Sequence, residues 1–345
     1  MCRNFFILLL VLQFTACATV PIEFVVDTPP LLMPLQPIVV KKQPVIGIAL
    51  GGGATRGFAH IGVLNSLAQN GIVPDIVVGT SAGAVAGALF AGGIRDERLE
   101  NVANQLQREQ VADWSYSGRG FILGELLQKY INGLLDNRPI EDLAIAFAAT
   151  ATDLGNGDLV VFTTGEAGLA VRASGTIPGL VSPVTINGRD YVDGGLVSKV
   201  PVQVARQLGA DIVIAVDVSR PPHDHVTLDS TISVMGQAIA ILSQAVLAKD
   251  LQDADVVIRP EIGIVPLGNF DNKEYSISAG ERAAIAAIPV IKRLVEERGL
   301  VGQKAPATQR DMAMPPSPHI ISCPIESFTY LNLSRSKEAM VNEPG

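Results

Sequence analysis

The sequence is poor in the residues that metal centres, disulfide frameworks and nucleic-acid grooves require. Its 345 residues include three cysteines, four histidines and one tryptophan. The cysteines and histidines fall nowhere at metal-ligand spacing, so no metal site is expected. Three scattered cysteines cannot build a disulfide scaffold. Charged residues make up only 17%, the net charge is −8, and no basic stripe runs through the chain, which argues against nucleic-acid binding. The N-terminal apolar run, 5–14, is too short to span a bilayer. What is plentiful is small and apolar: 48% of residues are hydrophobic and 33 are glycine. That composition suits a compact α/β enzyme with one sizeable core.

The N-terminus has a minimal basic head at Arg3, then the apolar run, then Phe14-Thr15-Ala16-Cys17. This end resembles the lipobox of bacterial lipoproteins, in which the cysteine is lipidated and becomes the new N-terminus. The resemblance implies a signal peptide over 1–17, a lipid on Cys17 and attachment to a membrane. Ala18 after the cysteine implies the outer membrane of a bacterial cell envelope, facing the periplasm. Cys2 would leave with the signal, and Cys323 would be the only thiol left. Prolines at 21, 29, 30, 34, 37 and 44 mark 18–44 as an extended tether. The folded domain is expected over 45–302. A Pro-, Ser- and Gln-rich tail, 303–345, is expected to hold little order.

Within the domain, Val45 to Leu50 is a continuous apolar run of the kind buried parallel strands show. A helix follows from about Phe58 to Asn70, then a second buried strand at Ile76-Val77-Val78, then a small-residue helix from Ala82 to Ala91. Helical patterns continue through about 95–110 and 122–135. Ala144 to Thr150, Leu159 to Thr163 and Ile212 to Val216 read as strands, with a further short strand at Asp255 to Ile258. Thr185 to Val192 reads as a hairpin, because Asn187-Gly188 supplies the positive-φ turn. Residues 232–251 carry Ile232, Met235, Ile239, Leu242 and Val246 at helical spacing, a stripe read as core packing. A last helix is expected over 279–298. Strands alternating with helices predict an α/β layered fold around a mostly parallel sheet.

Three motifs carry chemistry. Gly79-Thr80-Ser81-Ala82-Gly83 lies between a strand and a helix, the setting of a nucleophile elbow. There the serine hydroxyl projects above the sheet, and the helix N-terminus favours developing negative charge. Gly51-Gly52-Gly53-Ala54-Thr55-Arg56-Gly57 follows the first strand. A dinucleotide fingerprint would need glycine where Arg56 stands, and a P-loop would need Lys and Ser or Thr where Phe58 and Ala59 stand. An oxyanion hole remains: consecutive amides without side chains, converging on one point. Arg56 is read as holding the loop or attracting a phosphate, against the plainer role of a solvated arginine. The third motif is Asp193-Gly194-Gly195, a weak signal alone because such triplets are common turns.

Together the motifs resemble the patatin-like phospholipase family. The residues that carry the resemblance run from Ile48 to Gly57, from Ala59 to Leu64 and from Asp75 to Ala84, then Arg172 to Pro178, Val192 to Leu196 and Pro201-Val202. It spans about 45–260. It implies a three-layer α/β/α fold with a mostly parallel central sheet. It implies hydrolysis of lipid acyl esters, of the phospholipase A or lysophospholipase type, with no cofactor or metal. Ser81 would be the nucleophile and Asp193 its base, a dyad without histidine. Gly51, Gly52 and Gly53 would form the oxyanion hole, with Gly52 and Gly53 favoured and Ala54 open, and Arg56, Gly79, Gly83, Gly194 and Gly195 would support the motifs. The chain departs from the pattern at Ala54, where many members have glycine. It departs again at Ser198-Lys199-Val200, where an asparagine often precedes the Pro-Val pair.

His60, beside apolar Ile61 on the first helix, is read as a structural histidine. Two rival functions remain. One is an α/β-hydrolase with Ser81, Asp193 and His223 or His225 as a triad; the chain order fits, but the nucleophile comes early for that fold. The other is a non-catalytic envelope lipoprotein, which retention of both Ser81 and Asp193 argues against.

Overall fold

The computed structural model describes residues 43–301 and 319–322, except 116, 117, 220–229, 264 and 266–268. The expected signal segment with Cys17, the tether up to residue 42, His223, His225 and the tail apart from 319–322 lie outside the described residues.

The described residues form nine strands in one sheet: β1 (Ile46–Leu50), β2 (Ile76–Thr80), β3 (Ala146–Asp153), β4 (Leu159–Thr164), β5 (Val184–Ile186), β6 (Arg189–Asp193), β7 (Ile212–Val216), β8 (Val256–Ile258) and β9 (His319–Ser322). The strand β9 falls inside the tail expected to hold little order and pairs with β4. Eight α-helices accompany them: α1 (Ala59–Gln69), α2 (Ala82–Ala91), α3 (Asp96–Gln105), α4 (Glu125–Leu134), α5 (Ala167–Ser174), α6 (Val202–Gln207), α7 (Thr231–Asp250) and α8 (Lys273–Val301). The main path runs β5-β6-β3-β2-β1-β7-β8, with β4 and then β9 branching from β3. From β3 to β8 the pairings are parallel; β4, β5 and β6 join antiparallel.

The parallel strands lack polar alternation because helices cover both faces. Ile48, Leu50, Val77 and Val216 pack with α1, α2 and α8 on one face. Ala49, Ile76, Val78, Val213 and Ala215 pack on the other with Val202, Val204 and Ala205 of α6. The expected three-layer α/β/α architecture is the one observed.

The register around β3 decides what meets what. Thr150 pairs with Thr80 of β2 and with Val161 of β4, so those two strands lie on opposite edges of β3. Ala151 and Thr152 pair with both β4 and β6, so β6 too lies opposite β4. β2 and β6 therefore share one edge, end to end. Thr80 faces Thr150, and Asp193 faces the next residue, Ala151. The residue after β2 is Ser81. Backbone pairing alone thus delivers Ser81 and Asp193 to one place.

One expectation is corrected here. The stripe on α7 is not core packing: Leu242 is 70% exposed, and Val234 and Ile241 are exposed beside it. Only Ser243 and Asp250 of its described side chains are buried. Near its C-terminal end, Leu247 rests against the α6 face of the sheet. The reason is position: the middle of α7, through Gly236, Ile239, Ala240 and Ser243, lines a cavity instead of packing on strands. The Asn187-Gly188 turn forms as expected, with φ of 51° and 71°.

Candidate active site

Ser81 closes β2 and opens α2 with φ 55° and ψ −120°. A serine at positive φ is strained and persists only where its surroundings over-determine it. Several contacts do so. The Ser81 N–H donates to Ser174 Oγ at 2.8 Å. Next to it, Thr80 Oγ1 lies 2.7 Å from Thr150 Oγ1 and donates to the Ser198 carbonyl at 3.2 Å. α2 sits so close to β1 that a Cβ on Gly83 would lie 2.1 Å from the Leu50 carbonyl oxygen. Gly79 is held the same way, 2.4 Å from Ala84 Cα. Both glycines are therefore demanded by contact distance.

Asp193 ends β6 and is buried. Its Oδ1 accepts the Gly195 N–H at 2.7 Å, and the Ser81 side chain is close enough to favour its ionised form. Burial pushes its carboxyl above the usual aspartate range. The Lys199 charge, the Ser81 hydroxyl and the Gly195 N–H offset part of that rise. Thr150 lies against Gly194, where an added Cβ would meet its carbonyl oxygen at 2.6 Å.

The glycine loop differs from expectation by one residue. The Gly51 N–H donates to the Val216 carbonyl at 3.0 Å, and the Gly52 N–H to the Lys199 carbonyl at 3.0 Å. Two of the three glycines expected to form an oxyanion hole are thus already bonded. The N–H groups of Gly53 and Ala54 have no partner among the described residues, and both residues line the cavity that holds Ser81 and Asp193. Ala54 has φ 49°, a conformation glycine adopts without strain.

Arg56 is a fastener of this loop. It is buried, its Nε donates to the Val218 carbonyl at 2.8 Å, and its terminal nitrogens reach the carbonyls of Gly263 and Ser219. The guanidinium is committed to backbone, so the phosphate role considered for it finds no support. His60 fastens the loop from below, with Nε2 2.8 Å from the Gly51 carbonyl. A carbonyl only accepts, so Nε2 carries the proton. Complete burial lowers the His60 pKa to about 4 and keeps the ring neutral. The reading of His60 as structural agrees with these contacts.

Ser81 stands where two cavities meet. One, of about 160 Å³, is lined by Ala54, Arg56, Asp193, Lys199, Ile239 and Ser243 among others. The second, of about 210 Å³, runs between α1, α2, α3 and α4, and its lining is almost wholly apolar: Phe58, Ile61, Val85, Leu89, Leu99 and Leu127 are typical. Ala54, Thr55, Ser81 and Ile177 belong to both.

Sequence reasoning missed three residues here. Ser174 lay inside a quoted motif but was given no role, and its bond to the Ser81 amide spans 93 positions. Lys199 was noted only as a departure from a pattern. Asp250, at the end of α7, accepts the Val200 N–H at 2.9 Å and the Ser198 hydroxyl at 3.5 Å, and burial raises its pKa to about 6. None of these had a local sequence signal, because each acts through the sheet.

Parts of the chain are similar to known proteins. An uncharacterized NTE family protein of Mycobacterium tuberculosis is 35% identical over 181 residues, which are 52% of this chain and 50% of that one. Patatin-like phospholipase domain-containing protein 7 of Rattus norvegicus is also 35% identical over 181 residues, 50% of this chain and 13% of that one. Lysophospholipase NTE1 of Debaryomyces hansenii is 31% identical over 188 residues, 52% of this chain and 12% of that one. The chain thus spans half the length of the mycobacterial relative and far less of the other two. Among solved structures, VipD from Legionella pneumophila gives a TM-score of 0.49 at 12% identity, covering 72% of this chain and 67% of that one. Residues 48–206, which include Ser81 and Asp193, match the family model described as patatin-like phospholipase, so this segment of the chain is a patatin-like phospholipase domain.

Proposed function

We propose that the protein is a lipid acyl hydrolase that cleaves carboxylic esters through a Ser81–Asp193 dyad and an acyl-enzyme. The observation that carries the reading is the position of Ser81 at the junction of an apolar cavity and a second, more polar one that Asp193 also lines. An acyl chain in the apolar cavity gains about 0.8 kcal/mol per buried methylene. The alcohol part of the ester then occupies the polar cavity.

Ser81 Oγ attacks the ester carbonyl as its proton passes to Asp193. The oxyanion is held by the Gly53 and Ala54 amides, at about 3–4 kcal/mol per good donor, with the N-terminus of α2 behind it. The intermediate collapses, the C–O bond to the alcohol breaks, and the alcohol leaves with the proton from Asp193. Water repeats the sequence on the acyl-enzyme. Its proton goes to Asp193, the fatty acid departs, and the proton returns to Ser81. The buried carboxylate is a better base than a solvated aspartate because burial raises its pKa. For the same reason it is protonated, and inactive as a base, at higher pH than an ordinary aspartate.

The name of the Debaryomyces hansenii relative, a lysophospholipase, supports phospholipid or lysophospholipid as substrate. The reading extends to a protein tethered through lipidated Cys17 to a bacterial outer membrane, where such substrates surround it. The experiment is fatty-acid release by the full chain from diacyl and lysophospholipids. Ser81→Ala and Asp193→Asn are each expected to lose at least 10³-fold in kcat at unchanged thermal stability. Hydrolysis surviving Ser81→Ala refutes the reading. Loss of activity in the folded double variant His223→Gln/His225→Gln would replace the dyad with a triad.

A further inference from the structure

The more polar of the two cavities holds a cation that the dyad mechanism does not use. Lys199 lines that cavity and is absent from the apolar one. Its Nζ lies 3.6 Å from the point a Cβ on Gly52 would occupy, and Ser81 Cβ lies 3.3 Å from the same point. Its Nζ is also 3.6 Å from the corresponding point on Gly195, which is 3.0 Å from Asp193 Oδ1. The ammonium therefore stands beside both the nucleophile and the base.

This lysine is not a loose surface side chain. Its carbonyl accepts the Gly52 N–H, the Asp250 carboxylate accepts the Val200 N–H and the Ser198 hydroxyl on either side of it, and the Ser198 carbonyl accepts from Thr80 Oγ1. The backbone that carries it is thus tied to the glycine loop, to α7 and to β2. Yet its Nζ has no hydrogen-bond or ion-pair partner among the described residues, while the cavity's other cation, Arg56, donates to backbone carbonyls. A half-buried ammonium without a contacting counter-charge is costly unless a ligand supplies one. The neighbouring carboxylate, Asp193, already accepts the Gly195 N–H.

We propose that Lys199 receives an anionic group on the alcohol portion of the substrate, so that the site selects acyl esters whose glycerol carries a phosphate or phosphodiester over neutral glycerides. The inference rests on the hydrolase reading and deepens it. With the acyl chain in the apolar cavity and the ester at Ser81, the alcohol is the only part that reaches Lys199. In a phosphoglyceride the phosphate is a few bonds from the ester, a separation that suits an ammonium one residue-width from the nucleophile. A charge-assisted hydrogen bond made there holds the headgroup and orients the ester.

The test compares two substrates with the same acyl chain, lysophosphatidylglycerol and monoacylglycerol, in the same detergent. Wild type, Lys199→Met and Lys199→Arg are measured as full chains. The ratio of kcat/KM for the phosphate-bearing ester over the neutral one is expected to fall about 10- to 100-fold in Lys199→Met, mainly through KM, and to be largely kept in Lys199→Arg. Glycerol phosphate is expected to inhibit neutral-ester hydrolysis by the wild type competitively and by Lys199→Met at least tenfold more weakly. An unchanged ratio overturns the proposal. So does an equal loss on both substrates, which would assign Lys199 to the ionisation of Asp193. Should Lys199→Met fail to fold, the glycerol phosphate competition on wild type and Lys199→Arg decides alone, and absence of inhibition in both overturns it. A wild type that releases fatty acid from neither substrate is a different failure, that of the hydrolase reading, and removes this inference with it.

Discussion

Two apolar helices flank Ser81, and they are built on opposite terms. α2 (Ala82–Ala91) is almost entirely small or apolar and almost entirely buried, pressed between α1, α5 and the strands it follows. α7 (Thr231–Asp250) has only Lys249 and Asp250 as charged residues, both in its last turn, yet exposes Val234, Ile241 and Leu242. By length and composition its region Ser233–Asp253 is long and apolar enough to cross a membrane. The difference teaches that apolar periodicity reports an apolar side without naming what lies against it. α2 faces strands; α7 faces the rim of a cavity through Ile239 and Ala240. One wall of the site is rigid core, and the other is a surface helix.

Three experiments break or sharpen that contrast, beginning with the largest effect. Gly83→Ala on the rigid wall forces a methyl group against the Leu50 carbonyl, so backbone must move. A loss of more than about 3 kcal/mol in urea unfolding, with activity lost alongside, is expected. A Gly83→Ala protein of wild-type stability would mean that α2 is not wedged.

The second concerns acid. His60, under the same wall, has its pKa depressed from 6.5 to about 4, so its contribution is complete above pH 6.5 and lost as pH falls toward 4. The loss amounts to about 3 kcal/mol. Asp250, raised to about 6, works in the opposite direction over an overlapping interval, because burial penalises its ionised form. The wild-type profile alone therefore conceals the histidine. The stability difference between wild type and His60→Gln isolates it: the variant is expected to be less stable at pH 7 and to close most of that gap by pH 4.5. A gap independent of pH would count against a neutral buried imidazole.

The smallest effect belongs to the exposed wall. Leu242→Gln is expected to change unfolding free energy by less than about 0.5 kcal/mol, since its side chain is mostly in solvent. A loss of 2 kcal/mol would restore the core-packing reading.

The sequence made Ser81 legible because the elbow is local: an apolar strand, a glycine, the serine and a small-residue helix are contiguous. It also made the layered fold legible through its alternating strands and helices. It did not make the oxyanion amides legible. Whether a glycine N–H is free depends on which carbonyl lies opposite, and the partners of Gly51 and Gly52 are Val216 and Lys199, far along the chain. Ser174, Lys199 and Asp250 were hidden for the same reason. The exposure of α7 was hidden because its stripe would look identical packed against a sheet.

The shared edge of β3 ties chemistry to assembly. Ser81 and Asp193, the proposed nucleophile and base, are aligned by two strands laid end to end on a third, one residue apart in register. A slip of one residue by either strand would shift its group by about 3.4 Å and turn it to the other face. A chain caught mid-folding with a misaligned sheet would therefore be catalytically silent.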